Sequence, residues 1–366
     1  MIRVHELISN LAVRLALIGC ALLCAIFVFG YVGGWWSPQR LTQDRMAAAF
    51  LQVNGPHPGF RLNHAKGVCV TGWFDSTGEA IAVSKAAVFQ VGKVPVVGRF
   101  SLAGGMPFQV DKPTTVRALA LQFLPSGAQE WRTATLNIPV FAVNSARGFY
   151  DQLFATAPDP RTGKPDPAKM TAFLGAHPET AKALSIISKR TISSGFFDST
   201  FNGLNAFRFV NSAGASVPVR WSFLPMASLP EEAMPQPTPA DENYLFDALI
   251  AQIHRHPLQW RLMITVGAAD DPTDDATRPW PNERRNIDAG TVTIDQVASE
   301  DGGASCTGIN FDPLVLPNGI EASDDPLLSA RSAVYARSFT IRAGQVHEKP
   351  PSAVAVNPRA VQGTAP

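Results

Sequence analysis

The stretch "RLNHAKGVCVTGWF" places an arginine, Arg61, three residues before a histidine, His64, at the edge of a predicted strand. The residues that follow, Val68 to Phe74, are β-branched, small or aromatic, which favours extended chain near a bulge or a close approach. Imidazole is well suited to moving protons near neutral pH. A lone histidine beside a strand is nevertheless more often structural than catalytic, so His64 alone defines no function.

A second pair of residues has spacing that suits metal chemistry. Arg331 and Tyr335 are four residues apart in a helix predicted from Pro326 to Ser338, and they therefore share a face. A tyrosine binds ferric iron as a phenolate, and a neighbouring guanidinium lowers the pKa of the phenol. In isolation, however, such a pair is most often a surface contact on an amphipathic helix.

The elements that must position these residues are mainly strands. Segments rich in β-branched and aromatic residues, separated by turn residues, predict strands at 67–74, 79–91, 95–103, 116–124, 131–143, 205–224, 258–266 and 289–297. Short helices are predicted after residue 38, from Pro167, from Pro178 and within 241–256. This order indicates an α+β fold, with a meander or part of an antiparallel barrel interrupted by helical insertions.

The N-terminal region is apolar. Leu15 to Trp36 contains no charged residue and is long enough to span a bilayer as an uncleaved anchor. Arg3 and Arg14 precede it, so the positive-inside rule keeps residues 1–14 in the cytoplasm and predicts a single-pass inner-membrane protein with its main domain, residues 37–343, in the periplasm. A cleaved signal peptide is the alternative, but "GYVGGWWSPQR" offers no convincing cleavage site.

Charge and composition exclude some partners. Lys and Arg total 31 against 30 Asp and Glu, so the chain has no basic footprint for nucleic acid. From Gly344 to Pro366 the sequence is dominated by Pro, Ala, Val and Gln, which predicts a disordered tail over 344–366.

The cysteines do not form a recognisable metal or redox motif. Cys20 and Cys24 lie inside the apolar span, and Cys69 and Cys306 lack paired spacing. We predict two buried thiols at Cys69 and Cys306, with a single bridge between them as the alternative.

At several separated points the sequence resembles the heme catalases. The opening stretch matches the family's R-x-x-H-A-K-G-x-x-x-x-G-x-F, and "VGRFS" matches its R-F-S turn. The segments "VRALALQF", "NIPVFAVNSARGF", "FNGLNAFRFVNSAG" and "DPTDDATRPWP" resemble further family motifs in order. Finally, "NFDPLVLPNGIEASDDPLLSARSAVYARSFTIR" resembles the heme-binding segment F-x-P-G-I-E-x-S-x-D-x-x-L-x-x-R-x-x-x-Y. The resemblance covers residues 61 to 342.

This resemblance implies a catalase-type antiparallel β-barrel, preceded here by one transmembrane helix, and a heme b cofactor. Tyr335 would be the proximal iron ligand, with Arg331 favouring its phenolate form. His64 would be the distal acid-base residue, which moves a proton between the two oxygens of a peroxide. Ser101 would hydrogen-bond the other ring nitrogen of His64 and fix its orientation.

The resemblance also implies which residues hold the edges of the heme. Arg61, Arg99 and Arg342 match family positions that bind the heme propionates, for which bidentate arginine pairing is suited. Phe149 matches a ring that packs on the heme, although a phenylalanine there is equally compatible with ordinary core packing.

The sequence departs from the full-length catalases in two respects. Leu136 falls where the family has its distal asparagine if Asn137 aligns with the second of the paired asparagines, so an amide that orients peroxide is missing. The chain also ends soon after Tyr335, whereas full catalases continue into a further helical domain. It therefore resembles the small catalase-related peroxidases.

From these features we predict a heme-dependent peroxidase that reduces organic hydroperoxides or hydrogen peroxide with a small organic electron donor, has weak catalase activity and requires no oligomer. A true catalase is one alternative, and oxygen evolution without a donor would identify it. A lyase or isomerase of lipid hydroperoxides on the same heme barrel is another, and product analysis would identify it. A non-enzymatic heme- or lipid-binding barrel is the remaining alternative.

Overall fold

The computed structural model describes residues 2–33, 36, 40–226, 242–301 and 303–356. Contacts divide the chain at Met46 into an N-terminal unit and a large unit that begins at Ala47. The N-terminal unit contains helix α1, Ile2–Val32. Its segment Leu11–Val32 has a mean hydropathy of 2.6 and is long and apolar enough to cross a membrane. Part of the predicted anchor, including Trp35, lies outside the described residues.

The remaining helices are short except for the last. They are α2 Gln43–Asn54, α3 Ala146–Ala155, α4 Pro167–Ala176, α5 Pro178–Ser188, α6 Tyr244–Arg255 and α7 Pro326–Gly344. The strands are β1 Gly67–Ser76, β2 Gly92–Leu102, β3 Arg117–Phe123, β4 Trp131–Leu136, β5 Phe201–Asn202, β6 Phe207–Val210, β7 Ser216–Pro225, β8 Leu258–Val266, β9 Asn286–Ala298 and β10 Ile320–Ala322.

Eight strands close into an antiparallel barrel. Hydrogen bonding runs from β7 through β5, β4, β3, β2, β1, β9 and β8, and β8 pairs with β7 to complete the ring. Strands β6 and β10 extend outward from β7. Closure removes the exposed edges that an open sheet of these strands would have. The predicted antiparallel barrel with helical insertions is therefore confirmed.

An aromatic core fills the barrel. Trp131 stacks on Phe123 with ring centres 4.8 Å apart, and it meets Trp221 edge-on at 5.1 Å. Phe100 and Trp260, on strands from other parts of the ring, are also fully buried. Packing of this kind holds the strands at fixed positions, so side chains on their outer faces form a rigid platform.

The predicted strand at 79–91 is wrong. The segment forms two turns of three-ten helix, Glu79–Ala82 and Ala87–Phe89, after Gly78 takes a left-handed φ of 84°. Val83, Val88 and Phe89 are buried, whereas Val91 is 75% exposed. A short apolar run indicates burial without distinguishing a strand from a helical turn.

The C-terminal segment differs from the disordered tail predicted from residue 344. Residues 345–356 pack against the barrel domain: Val354 is 1% exposed, and Lys349 donates to the Glu300 carbonyl oxygen and to Asp301. Asp301 also accepts from the backbone of Ser352. The composition of this segment, which is dominated by Pro, Ala, Val and Gln, did not indicate these hydrogen bonds. Residues 357–366 of the predicted tail lie outside the described residues.

The prediction of two free thiols is wrong as well. Cys69 on β1 and Cys306, in the loop after β9, form a disulfide across a sequence separation of 237 residues. Both cysteines are fully buried and pack with Phe311. Spacing along the sequence gave no signal for this bridge, because only the barrel brings the two segments together.

Candidate active site

His64 lies in an unusual backbone conformation just before β1. Its φ is 56°, the one positive φ of a non-glycine residue in the part of the chain that the structure describes. The Asn63 side-chain oxygen accepts from the backbone N–H groups of both His64 and Gly104, each at 3.0 Å. A left-handed conformation costs a non-glycine residue roughly 1–3 kcal/mol and persists where surrounding contacts impose it, often at functional sites.

The ring of His64 is half-buried and faces Ser101 on β2. Its Nδ1 lies 3.4 Å from the Ser101 hydroxyl oxygen, within hydrogen-bonding distance. Burial, together with the positive charges of Arg99, Arg331 and Arg61, lowers the pKa of His64 to about 3. The imidazole is therefore neutral at ordinary pH and able to accept a proton.

The residues beside His64 in the opening motif hold the segment in place. The Lys66 ammonium is buried and donates to Asp111 at 2.7 Å and to the Gln109 carbonyl oxygen at 2.8 Å. Gly67 must lack a side chain, because a Cβ there would lie 2.5 Å from the Phe100 carbonyl oxygen and 2.6 Å from the Arg99 guanidinium. The motif thus contains, beside His64, residues that hold this segment of the chain in place.

Tyr335 and Arg331 face one another on α7, as their spacing predicts. The Arg331 guanidinium carbon lies 5.8 Å from the centre of the Tyr335 ring. Arg331 also donates to the side-chain oxygen of Asn205 and to the Ala134 carbonyl oxygen on β4. The arginine is thereby fixed between the phenol ring and the barrel wall.

Sequence reasoning missed two residues behind this pair. Asn205 donates to Asp325 at 2.7 Å, so a chain of contacts leads from Asp325 through Asn205 and Arg331 to Tyr335. The second oxygen of Asp325 accepts from the Leu327 backbone N–H and caps α7. An aspartate directly before Pro326, the first residue of the predicted helix, is typical of such a cap, but no sequence pattern indicated the link to Asn205.

Arg61 and Arg342 have donors without a partner in the part of the chain that the structure describes. Arg61 contacts the carbonyl oxygens of Cys306 and Ile309, and Arg342 contacts that of Thr307. Within the described residues, however, the buried Nε of Arg61 and the buried Nε and Nη2 of Arg342 have no hydrogen-bond partner. Burial lowers the pKa of Arg61 to about 9, with Arg99 and Arg342 contributing repulsion. A cavity of about 430 Å³ opens between the two arginines.

Arg99 differs from the other two arginines. It is buried in β2 and forms a bidentate ion pair with Glu300, at 2.8 Å and 2.7 Å. Its remaining contacts are with backbone oxygens of the His64 segment. Glu300 was not singled out from the sequence, where it lies in the loop that also carries Cys306.

Phe149 belongs to an aromatic cluster beside α3. Its ring stacks on Phe141 with centres 5.9 Å apart and an interplanar angle of 15°, and it contacts Phe50 at the same distance. The ring is half-buried. These contacts are compatible with either ordinary core packing or a surface for a flat ligand.

Leu136 and Asn137 occupy the end of β4. Leu136 pairs with Ala118 of β3 and Asn202 of β5. It shares a strand face with Ala134, whose carbonyl oxygen contacts Arg331. The side chain of Asn137 accepts from the Arg117 backbone N–H at 2.7 Å. The amide of Asn137 is therefore engaged in ending the strand pair, and the neighbouring half-buried position carries an apolar side chain.

Comparisons with known proteins agree with this geometry. A family model described as "Catalase" matches residues 57–363. A "Catalase-related peroxidase" of Synechococcus elongatus is 38% identical over 92% of this chain and 98% of its own length. A protein of the same description from Mycolicibacterium paratuberculosis is 31% identical over 83% of this chain and 96% of its own length. The solved "Structure of a bacterial catalase" has a TM-score of 0.68 at 22% identity, covering 85% of this chain and 62% of that one.

The chain therefore belongs to the catalase family, whose members are heme enzymes that act on peroxides. The sequence-based prediction of an enzyme of this class is confirmed. The residues present also fit a heme. Arg61 and Arg342 offer buried cationic donors without partners among the described residues, as two carboxylates require, and Tyr335 offers an oxygen ligand for iron.

Proposed function

We propose that this protein is a heme b peroxidase that reduces organic hydroperoxides or hydrogen peroxide with a small organic electron donor. The observation that carries the proposal is the closeness of two regions that the sequence separates widely. Arg331 lies beside Tyr335 and also close enough to His64 to lower its pKa. The proposed iron ligand, Tyr335, and the proposed proton acceptor, His64, would thus belong to one site. The relatives described as catalase-related peroxidases support the same activity.

A bound heme would supply the iron at which the peroxide O–O bond breaks and the oxidising equivalents that the donor removes. Tyr335 would hold the iron as a phenolate, with Arg331 favouring that form through its charge. Arg61 and Arg342 would hold the heme carboxylates through their unused donors.

The proton transfer falls to His64. Its neutral imidazole would accept the proton from one peroxide oxygen and return it to the departing oxygen, so that the leaving group departs as water or an alcohol. Ser101 would hold Nδ1 through the 3.4 Å contact and leave Nε2 available to the peroxide. The low pKa of His64 keeps this nitrogen unprotonated before the peroxide arrives.

We propose that catalase activity is weak because Leu136 offers no hydrogen bond. Decomposition of hydrogen peroxide to oxygen requires a second peroxide to be held in the same site. An apolar side chain at Leu136 cannot donate to that molecule, whereas an asparagine could. An organic donor, which is recognised by other contacts, is less affected by this loss.

We further propose that α1 anchors the enzyme in the inner membrane, with residues 1–14 in the cytoplasm and the barrel in the periplasm. The hydropathy of Leu11–Val32 and the preceding arginines support this orientation. The Cys69–Cys306 disulfide also supports it, because disulfides persist in oxidising compartments. Alkaline phosphatase fused after residue 60 should be active in cells, and the same fusion with a cytoplasmic reporter should be inactive. The reverse pattern would place the barrel in the cytoplasm.

The activity is tested with purified holoenzyme. Wild-type protein should oxidise an organic donor with hydrogen peroxide or cumene hydroperoxide. His64→Ala should retain heme but lower the rate of peroxide cleavage roughly 10²- to 10⁴-fold, as expected for loss of a general acid-base residue. An oxygen-evolving rate well above the donor-oxidation rate would instead indicate a true catalase. An unimpaired His64→Ala variant would refute the assigned role of the histidine.

A further inference from the structure

We infer that Arg99 and Glu300 are positioning residues, whose buried ion pair holds the His64 backbone in its left-handed conformation and thereby aims the imidazole. The inference rests on the proposed function of His64 in proton transfer. It gives Arg99 a different principal role from the propionate binding that the family resemblance implies, and it assigns a role to Glu300, a residue that no motif indicated.

The hydrogen bonds of Arg99 connect three segments. Its Nε and Nη2 donate to the two carboxylate oxygens of Glu300 at 2.8 Å and 2.7 Å. Its Nη1 donates to the His64 carbonyl oxygen at 2.8 Å, and Nη2 also donates to that of Ala65 at 3.2 Å. Arg99 is 2% exposed and Glu300 is 9% exposed, so solvent cannot replace these contacts easily.

These contacts leave Arg99 little capacity for a cofactor. A guanidinium carries five N–H donors, and the four hydrogen bonds of Arg99 leave one. Arg61 and Arg342, by contrast, have buried donors without a partner among the described residues. Arg61 and Arg342 therefore have more donors free for cofactor carboxylates than Arg99, whose contacts chiefly support the His64 segment and leave one N–H for a carboxylate.

The backbone of His64 needs such support on both sides. Its N–H donates to Asn63, and its carbonyl oxygen accepts from Arg99. A left-handed φ of 56° is unfavourable for a residue with a Cβ, so loss of either contact allows the segment to relax. Relaxation would rotate the peptide and move the ring away from Ser101 and from the peroxide.

Glu300 also balances charge next to His64. Burial alone would raise the pKa of Glu300, but the charges of Arg99 and Arg61 lower it, so the carboxylate is ionised. The same Arg99 charge lowers the pKa of His64. A neutral residue at position 300 would leave Arg99 uncompensated and make His64 a weaker base. Displacement of the His64 ring and the lower basicity of its imidazole would therefore both slow peroxide cleavage.

The test is Glu300→Gln in the full-length holoenzyme, with Asp271→Asn as a matched control. Asp271 also forms a bidentate ion pair, with Arg284 at 2.7 Å and 3.0 Å, but it lies in the loop between β8 and β9. We expect Glu300→Gln to retain heme and to slow both cyanide association and peroxide cleavage per heme roughly 10- to 100-fold. Cyanide association is informative because hydrogen cyanide must give up its proton at the same site. Asp271→Asn should leave both rates within about twofold.

A double-mutant cycle separates this inference from the proposed function. If Glu300 acts through His64, Glu300→Gln should add almost nothing to the loss already caused by His64→Ala. Equal slowing in both backgrounds would overturn the positioning role while leaving the function intact. A His64→Ala variant as fast as wild type would instead overturn the function.

Two further outcomes would also overturn the inference: an unchanged rate in Glu300→Gln, or loss of heme with an unchanged rate per remaining heme. If Glu300→Gln does not accumulate as folded protein, Arg99→Lys provides the same test, because an ammonium keeps the charge but cannot reach all the acceptors of the guanidinium. Retained heme with slow cyanide association supports the inference in either variant.

Discussion

Lowering the pH from 7 to 5 should leave the rate of peroxide cleavage nearly unchanged, because His64 stays neutral across that interval. Burial, reinforced by Arg99, Arg331 and Arg61, lowers the pKa of its imidazole to about 3. At pH 5 only about 1% of such a histidine is protonated. A histidine with an ordinary pKa of about 6.5 would be about 97% protonated there, and a rate that requires its neutral form would fall about 25-fold.

The assay is stopped-flow absorption of the heme band after mixing holoenzyme with excess peroxide, at constant ionic strength. Heme content at each pH serves as the control for cofactor loss, and His64→Ala gives the baseline without the imidazole. A rate that titrates with a midpoint near 6.5 would refute the reasoning, because it would show that neither burial nor the surrounding charges control the histidine.

The same lowered pKa has a consequence for stability. Between about pH 6.5 and 3 the unfolded chain binds a proton at His64 that the folded protein does not bind. The contribution of this residue to the free energy of unfolding should therefore be lost as the pH falls, by up to about 1.4 kcal/mol per pH unit. Denaturant unfolding of wild type and His64→Ala at pH 7 and 5 measures it, and parallel losses in both proteins would contradict it.

Three further outcomes follow from the structure. Tyr335→Phe should abolish stable heme binding, since the ring volume is kept and the ligating oxygen is removed; full heme content with an unchanged spectrum would refute the ligand assignment. Replacing both Cys69 and Cys306 by alanine should lower the free energy of unfolding by about 3–5 kcal/mol, because the bridge closes a very long loop. Equal denaturation midpoints for this variant and wild type, both without reductant, would show that the bridge contributes nothing. Leu136→Asn should raise oxygen evolution relative to donor oxidation, and an unchanged ratio would show that another group orients the second peroxide.

The residues proposed to carry the chemistry could be singled out from the sequence because their types and spacing are local. Arg331 and Tyr335 share a helical face, and His64 lies where a motif precedes a strand. The β8 strand was predicted with its observed bounds, because every second residue from Leu258 to Ile264 is buried against the core. These features depend on a few neighbouring residues, which is the range over which sequence patterns are informative.

The supporting residues were not predictable for the opposite reason. Glu300 is 201 positions from Arg99, and Asn205 is 126 positions from Arg331. The Cys69–Cys306 bridge likewise depends on the barrel bringing β1 next to the loop after β9. No local pattern encodes such pairings. The prediction of a strand at 79–91 failed for a different reason. Apolar residues indicate burial but not the type of element, and the left-handed conformation of Gly78 turns the chain into a three-ten helix.

Asp325 has two structural roles, one for each of its carboxylate oxygens. One of its oxygens stabilises the first turn of α7, and the other starts the contacts that lead to Arg331. A substitution at Asp325 would therefore change both the first turn of α7 and the contacts that hold Arg331 beside Tyr335. If Tyr335 holds an iron as proposed, the surroundings of the ligand cannot be altered at this position without also altering how firmly the helix that carries it is attached to the barrel.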